Sequence, residues 1–548
     1  MRKQGGSKMS NHSFLGPFIG HTTKDSTKIW IHNPERETLW LSLAKKGTEE
    51  ILRVQKFVFK EENLFSDCVE LKNLEPETVY EYRIWQDERR TQSFDLQGLN
   101  AEDLFFKTLP NQKDKGENDR VDFLIMSCHD PDYAKSENEG YRVWSALPQI
   151  LEENKGSDYC VRFALLGGDQ VYADKWRTKI EKAGSPEERE KIYLEVYRHY
   201  WSNISYRKIL CRLPSYLMWD DHEIMDGWGS SIEFFNKEKT DFNEKAKDLF
   251  SAADKAFAYM QAIRNPTDSL TVKNGVKSHD FCFTVGRCGF VMADLRSNRN
   301  LFADGKDGKK GVLWKPEQLD SIKEWVEGRV GSIDTLFFVT PVVMAHGDPV
   351  AEGLLMKAWN FFYKTPVINK YAKKFLKRIH LGDIRDDIRD SWEAEANAAE
   401  TDNILNFLFS LQNEKNINTV VLSGDIHTAG YASIYSSSAQ HESRSVIPHI
   451  VSSPVGSKPF PWILEAFYRS LSKIVKLGTQ NKYTAQVSHH HSHRNVVVCS
   501  VRIRDNGRRQ FLKVKFYLED FPEPQIVIFD LIDSSHKENI NWSPAGRG

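Results

Sequence analysis

The chain contains several short apolar runs, each followed by a residue that can bind a metal ion or transfer a proton. Continuous apolar runs of this length predict buried strands, because both faces of a central strand in an α/β sheet are covered. The carboxyl ends of such strands converge at one edge of the sheet. We therefore expect residues far apart in sequence to meet at one site. The runs are 121–127, 161–168, 213–219, 288–293 and 419–423.

Residues 15–110 predict an all-β domain, because apolar and polar positions alternate there with the period of half-buried strands. Residues 74–82 resemble the corner of immunoglobulin-like or fibronectin-like sandwiches, in which a tyrosine hydroxyl bonds to upstream backbone. A β-sandwich is the prediction, and an ordinary strand with exposed tyrosines is the alternative. The strands are expected at 28–32, 38–43, 52–59 and 79–85.

Residues 120–535 predict an α/β domain, and the polar segment 111–120 reads as a linker before it. Strands alternate with helical patterns, and the tail returns to strands. This order fits two sheets packed face to face and covered by helices. Helices are expected at 141–154, 185–201, 241–263, 315–327 and 400–413, and the tail strands at 495–504, 511–517 and 525–532.

Composition and charge narrow the class of protein. Hydrophobic residues make up 40% of the chain, charged residues 28%, and the net charge is −1. These values are typical of a globular protein without a global attraction to nucleic acid or membranes. The odd number of cysteines, 7, argues against a disulfide framework. Neither a secretory signal nor a membrane-spanning run is recognisable, so a cytoplasmic location is expected.

Four of the residues after the apolar runs suit a metal ion that accepts sulfur, phenolate and nitrogen ligands as well as carboxylates. Asp169 can bridge two cations through its two oxygens. Cys128 and Tyr172 add a thiolate and a phenolate, which favour a strongly Lewis-acidic metal such as ferric iron. His427 adds a nitrogen that many metals accept.

Asp221 and Asp425 supply hard oxygen ligands, which suit calcium, magnesium or manganese. Two adjacent metals can hold a phosphate and generate a hydroxide near neutral pH. His222 is the candidate acid for the leaving group, and Arg296 the candidate for neutralising charge on phosphoryl oxygens.

Glu223 and Asp294 are candidates for orienting these groups. Taken alone, each acidic residue after a strand would more often be a turn former or a helix cap. Five coincidences of this kind in one chain favour a shared site.

The same residues resemble the motifs of the PhoD-type alkaline phosphatases, a branch of the calcineurin-like metallophosphoesterases. The resemblance extends over nearly the whole chain. It is carried by Ser127-Cys128, by Arg494-Asn495 and by the motifs at 167–174, 219–223, 294–297, 423–427 and 452–455.

The resemblance implies a four-layer αββα sandwich, phosphoester hydrolysis and a site with Fe³⁺ and Ca²⁺. By position it implies iron at Cys128, Asp169 and Tyr172, and calcium at Asp169, Asp221 and Asp425. Zinc, manganese and magnesium stay open as alternatives.

The chain departs from the wider superfamily at three motifs. Cys128-His129 stands where an Asp-x-His motif is usual, Asp221 where asparagine is usual, and Asp425 where the first of two histidines is usual. These changes replace nitrogen with sulfur or oxygen. The roles of His129, His346 and the tract 489–493 stay open.

The predicted function is metal-dependent hydrolysis of a phosphomonoester or a phosphodiester, by attack of a metal-generated hydroxide. The alternative is a catalytically silent polyanion-binding protein with structural metals. The basic and aromatic insertion 353–390 suggests a polyanionic or lipid-linked substrate, or a peripheral membrane contact. A solvated helix face is the alternative for that segment. No specific nucleic-acid binding is predicted.

Overall fold

The structure is a computed structural model, and its description covers most of the chain. The described residues are 13–112, 119–134, 136–154, 161–238, 241–267, 270, 273–302, 311–346, 390–436, 446–459, 474–504 and 509–532. The insertion 353–389 and the predicted turn at 505–507 therefore lie outside the described residues.

The N-terminal part forms two antiparallel sheets with an apolar core between them, as the alternating pattern predicts. Tyr80 Oη accepts a hydrogen bond of 2.8 Å from the amide of Glu75, which is the predicted corner contact. One sheet has the order β1-β2-β5 and the other β4-β3-β6-β7. The strands are β1 Leu15–Thr22, β2 Ser26–His32, β3 Thr38–Lys45, β4 Ile51–Val58, β5 Ser66–Lys72, β6 Val79–Trp85 and β7 Phe105–Lys107.

The first sheet of the α/β part has six strands in the order β10-β9-β8-β19-β20-β21. Strands β8, β9 and β10 are parallel, and the tail strands extend the sheet antiparallel to β8. These strands are β8 Asp119–Met126, β9 Val161–Gly167, β10 Ser215–Met218, β19 Asn495–Arg504, β20 Arg509–Leu518 and β21 Gln525–Asp530.

The second sheet has eight strands in the order β11-β12-β13-β14-β16-β15-β18-β17. Strands β12, β13, β14 and β16 run parallel to one another. The strands are β11 Phe281–Val285, β12 Cys288–Met292, β13 Thr335–Thr340, β14 Asn418–Ser423, β15 Ala429–Ser436, β16 Val446–Val451, β17 Ile474–Leu477 and β18 Tyr483–His491.

The two sheets pack face to face and helices cover both outer faces. Phe123, Phe163, Phe290 and Phe337 belong to the core between the sheets. Separate apolar clusters join each sheet to its helices, which gives the predicted four-layer αββα arrangement. The α-helices are α1 Glu137–Gly140, α2 Arg142–Glu153, α3 Arg177–Lys182, α4 Pro186–Trp201, α5 Ile204–Leu210, α6 Glu244–Met260, α7 Pro316–Glu327 and α8 Ala398–Lys415.

Each of the five predicted apolar runs coincides with a strand. The last residue of each strand is either the last residue of the run or the one before it. The carboxyl ends of β8, β9 and β10 lie at one edge of the first sheet, and those of β12 and β14 at one edge of the second, because these strands are parallel within their sheets. The two edges meet, since Cys128 Sγ after β8 lies 3.3 Å from the carbonyl of Asp425 after β14. Within the described parts of the chain, no helix is long and apolar enough to cross a membrane.

Candidate metal centre

Asp169 lies at the centre of the group of predicted thiol, phenol and imidazole ligands. Cys128 Sγ and Tyr172 Oη each lie 3.4 Å from Asp169 Oδ2. His427 Nε2 lies 3.5 Å from Tyr172 Oη. The structure therefore brings a thiol, a carboxylate, a phenol and an imidazole from three strand ends into one continuous group.

A second group consists of carboxylates alone. One ligand atom from each of Asp169, Asp220 and Asp425 lies within 4.8 Å of the others. All three side chains are buried, at 1%, 1% and 8% exposure. One oxygen of each carboxylate accepts no hydrogen bond from any described residue. Such oxygens fit a cation, because buried carboxylates otherwise need hydrogen-bond donors or a positive partner.

Asp221 belongs to a third set of atoms, and Asp169 is again shared. Ligand atoms of Asp169, Asp221 and His222 lie within 4.8 Å of one another. The amide of Gly227 donates a hydrogen bond of 2.7 Å to Asp221 Oδ2. Asp169 is thus common to all three groups, which include the two sets of close ligand atoms found in the described chain.

Four of the six predicted ligands have left-handed backbone. The φ angles are 58° at Cys128, 55° at Asp169, 72° at Asp425 and 53° at His427. Residues other than glycine are uncommon in this region, and each such residue carries strain of about 1–3 kcal/mol. The repetition at the ends of three strands indicates that these turns are held in place for a function.

Two glycines allow the strand ends to approach one another. Gly168 has a φ of 98°, and a Cβ there would lie 2.8 Å from Asp220 Cβ. A Cβ on Gly424 would collide with the side chain of Ser127. Glycine at both positions therefore lets Asp169 and Asp425 come close to the neighbouring strand ends.

The His222 imidazole is paired with an aspartate. His222 Nδ1 lies 2.6 Å from Asp174 Oδ2, and its ring lies 4.1 Å from the ring of Tyr172, centroid to centroid. Burial acts to lower the pKa of His222, but Asp174, Asp169 and Asp221 raise it well above its usual value. The three carboxylates therefore favour the protonated form of the imidazole.

Arg296 is buried, with 2% exposure, and is engaged by carboxylates. It forms ion pairs with Asp220, with Asp390 at 2.5 Å and with Asp221 at 3.6 Å. Asp390 also accepts a hydrogen bond of 3.1 Å from Arg299. The guanidinium therefore fixes the positions of the Asp220 and Asp221 carboxylates through ion pairs.

Two family models match this chain. The model described as PhoD-like phosphatase matches residues 123–326, and the one described as PhoD related phosphatase matches residues 368–499. The chain belongs to the PhoD-like phosphatase family. These segments contain all eight predicted site residues, from Cys128 to His427.

The fold of this PhoD-like chain is also that of a solved structure, "Structure of PhoD". The likeness has a TM-score of 0.61 at 15% identity and covers 97% of this chain and 92% of that one. It confirms the predicted α/β metallophosphoesterase-like fold with its all-β N-terminal part. A curated relative, the uncharacterized protein YGR266W of Saccharomyces cerevisiae, is 22% identical over 324 residues, which are 48% of this chain and 44% of the yeast protein.

Electrostatics of the PhoD-like site favour cations. Burial, reinforced by Asp220 and Asp221, raises the pKa of Asp425 well above its usual value. Burial and two neighbouring carboxylates likewise raise the pKa of the Cys128 thiol. A bound cation would reverse both effects, because it stabilises the deprotonated groups. Burial lowers the pKa of His427 to about 4, which keeps its imidazole neutral and able to ligate.

Glu223 and Asp294, the two residues predicted to orient the site, accept hydrogen bonds from backbone amides as well as from side chains. Glu223 accepts hydrogen bonds from the amides of Asp169, Gln170 and Asp220 at 3.0, 2.6 and 2.8 Å. Asp294 accepts from Trp219 Nε1 at 2.8 Å and from the amide of Arg296 at 2.9 Å. Both carboxylates therefore tie neighbouring strand ends together.

Sequence reasoning missed three acidic residues of the site. Asp174 and Asp220 lie inside the motifs that carried the resemblance, so their spacing from Asp169 and Asp221 was an available signal. Asp390, which pairs with Arg296, is 94 positions away from it and has no local motif.

The histidines whose roles were open differ in position. His129 is fully buried; Trp144 Nε1 donates to its Nδ1 at 3.1 Å, and burial lowers its pKa to about 3. Its ring packs against aromatic rings, and its backbone amide donates to the carbonyl of Asp169 at 2.7 Å. The amide of His346 donates to Glu393 at 2.9 Å. In the tract 489–493, the side chains of 489 and 490 lie outside the described set.

Proposed function

We propose that the chain is a metal-dependent phosphoester hydrolase. The observation that carries the proposal is the buried carboxylate group of Asp169, Asp220 and Asp425, which leaves three oxygens without donors in the described chain. It lies beside a thiol and a phenol, and membership of the PhoD-like phosphatase family supports the reaction class.

The donor chemistry divides the ligands between two kinds of cation. Cys128, Tyr172 and His427, with Asp169, suit Fe³⁺ or a similar metal. Asp425 with Asp220 or Asp221 suits Ca²⁺, because all their donors are carboxylate oxygens. Bound cations would polarise the phosphoryl group and make a water molecule nucleophilic near neutral pH.

His222 is proposed as the acid that protonates the leaving oxygen. Its Nδ1 is occupied by Asp174 at 2.6 Å, so Nε2 is the nitrogen left to transfer a proton. The Asp174 pair orients the ring and favours its protonated form. Its partial exposure, 19% of the side chain, gives a substrate access to the ring.

Arg296 is proposed as a positioning residue, which refines the predicted direct contact with phosphoryl oxygens. Its guanidinium is saturated by Asp220, Asp221 and Asp390 and by the carbonyl of Trp228 at 3.2 Å. It therefore acts through the carboxylates that it fixes.

The test is turnover of small aryl phosphates by the purified full chain. Activity should vanish after chelation and return when Fe³⁺ and Ca²⁺ are restored together. A chain with full metal content that hydrolyses neither p-nitrophenyl phosphate nor bis-p-nitrophenyl phosphate would contradict the proposal and favour the silent polyanion-binding alternative. The ratio of the two rates separates monoesterase from diesterase activity.

The preference for a polyanionic or lipid-linked substrate, and the membrane contact, stay predictions from the sequence. They rest on lysines of the insertion 353–390, which falls almost entirely outside the described residues. Neutralising Lys373, Lys374 and Lys377 should raise KM for polyanionic or lipid substrates more than for an aryl phosphate. Equal changes in both KM values would contradict this preference.

A further inference from the structure

A serine-rich loop, residues 452–457, follows β16 and lies directly against Cys128. The amide of Val455 donates to the carbonyl of Ser127 at 2.8 Å, and the amide of Ser457 donates to the carbonyl of Cys128 at 3.0 Å. The loop therefore lies alongside the end of β8 and fixes the backbone of Cys128 through these hydrogen bonds.

Ser453 places its hydroxyl on the sulfur itself. Ser453 Oγ donates to Cys128 Sγ at 3.0 Å and accepts from the amide of His427 at 3.1 Å. The nearby Ser127 hydroxyl is 3.4 Å from the same sulfur but donates to the carbonyl of Ser452 at 2.9 Å. A hydroxyl has one proton, and for Ser453 the sulfur at 3.0 Å is nearer than its other acceptor, the carbonyl of Asp425 at 3.4 Å. For Ser127 the carbonyl is the nearer acceptor, so Ser453 is the better donor to Cys128.

Ser457 lies beside the phenol. Its Oγ is 3.0 Å from Tyr172 Oη, donates to the carbonyl of Cys128 at 2.8 Å and accepts a hydrogen bond of 2.8 Å from the amide of Asp130. The loop thus places one buried hydroxyl on the thiol and another on the phenol, both fully covered by protein.

The start of β19 fixes this loop. Asn495 Nδ2 donates to the carbonyl of Ser453 at 2.6 Å, and its backbone amide donates to the carbonyl of Pro454 at 2.8 Å. Arg494 Nε donates to the carbonyls of Gly456 and Ser457 at 3.0 and 3.1 Å. Four hydrogen bonds from two adjacent residues therefore set the position of both serines.

We infer that Ser453 is a positioning residue that donates a hydrogen bond to the Cys128 sulfur and thereby tunes the bond from that sulfur to a metal. The inference rests on the proposed metal-dependent function. A hydrogen bond to a ligand atom fixes its orientation and withdraws electron density from it, and loss of such contacts typically lowers metal affinity about 10–100-fold. Arg494 and Asn495 keep Ser453 in register through the loop.

The test uses Co²⁺ as the probe, added to the chelated full-length protein, because a thiolate bound to Co²⁺ gives a charge-transfer absorption. In S453A the band should move to lower energy, and Co²⁺ should bind about 10–100-fold more weakly in chelator competition. S453T keeps the hydroxyl and should restore both values. S452A is the matched control, because the Ser452 hydroxyl bonds to Ile125 and Asn495 and not to the sulfur.

An S453A protein with the band energy and Co²⁺ affinity of the unchanged chain would overturn the inference and leave the proposed function standing. A chain that binds Co²⁺ without a thiolate-to-cobalt band would overturn the inference together with the assignment of Cys128 as a ligand, whereas the proposed function is judged separately by turnover of the aryl phosphates. If S453A does not fold, S453T and S453V make the same comparison, since they are nearly equal in shape and differ by the hydroxyl. Equal bands in that pair would also overturn the inference.

Discussion

Individual residues at the strand ends carry the chemistry, and His222 is the one whose role is most separable from metal binding. Its imidazole is paired with Asp174 and touches the ring of Tyr172. It also lies within 4.8 Å of Asp169 and Asp221, whose carboxylates supply the oxygens proposed to bind cations. Removal of the imidazole should therefore affect proton transfer while the metals stay bound.

We expect H222A to lower kcat about 10²–10⁴-fold, the range usual for loss of a general acid. H199A is the matched control, because His199 is also paired with an aspartate, Asp132 at 2.8 Å, and has a similar side-chain exposure of 24% against 19%. Steady-state rates and elemental analysis of both variants check this. An H222A protein with normal metal content and normal kcat would contradict the assigned role.

Removal of the Arg296 side chain should lower the free energy of unfolding. R296A leaves Asp220 and Asp221 without their guanidinium partner and Asp390 with Arg299 alone, and breaking a buried pair of this kind costs about 3–5 kcal/mol. Ca²⁺ should recover part of that loss in urea unfolding of the chelated protein, since a bound cation replaces the guanidinium charge.

R287A is the control for this measurement. Arg287 is a similarly buried arginine, with 3% exposure, and pairs with Asp334 away from the site. Ca²⁺ should stabilise R287A no more than the unchanged chain. If Ca²⁺ stabilises R287A and R296A equally, Arg296 does not support a cation site.

At the scale of secondary-structure elements, the turn after β9 depends on close approach to the turn after β10. G168A adds a methyl group that must displace Asp220, whose Cβ is 2.8 Å away, at a φ of 98°. We expect weaker Ca²⁺ binding together with a loss of stability. G331A isolates the backbone effect, because Gly331 has a φ of 87° and nothing within 4 Å of the added Cβ.

The backbone effect alone is about 1–2 kcal/mol for a residue other than glycine in left-handed conformation. Urea unfolding and Ca²⁺ titration of both variants separate the two effects. The prediction fails if G168A binds Ca²⁺ as tightly as G331A.

The elements themselves were largely predictable from the sequence. Apolar runs and amphipathic periods located β8, β9, β10 and β14 and helices such as α4, because buried strands and helices leave strong local patterns. The strand-end positions of Cys128 and Asp169 followed from the same patterns. The pairing of Arg296 with Asp390 did not, since contacts between distant loops depend on tertiary packing and leave no periodic signal.

At the scale of the whole molecule, the N-terminal sandwich is joined to the α/β part by buried polar contacts. His32 Nδ1 lies 2.9 Å from the carbonyl of Leu64, and its Nε2 accepts from Arg198 on α4 at 3.1 Å. Burial, with Arg198, lowers the pKa of His32 to about 3. The folded protein therefore holds this imidazole neutral across the junction.

This contact predicts a pH dependence of stability. Below the ordinary histidine pKa of 6.5, the unfolded chain binds a proton that folded His32 cannot bind until the pH reaches about 3. Stability should thus fall as the pH is lowered, by about 1 kcal/mol for this residue between pH 7.5 and 5.5. Urea midpoints at the two pH values measure the loss. H32Q should show a shallower dependence, and an unchanged slope would contradict the assignment.

We propose that strand ends from both sheets bring their side chains to cations that share Asp169 as a ligand. Both potential metal-binding sets of the described chain contain this residue, so one substitution should affect both. The most direct measurement is elemental analysis of the natively purified full chain beside D169N. We expect at least two bound cations per chain and the loss of both in D169N. An unchanged chain without stoichiometric metal, or a D169N protein that keeps its full complement, would contradict it.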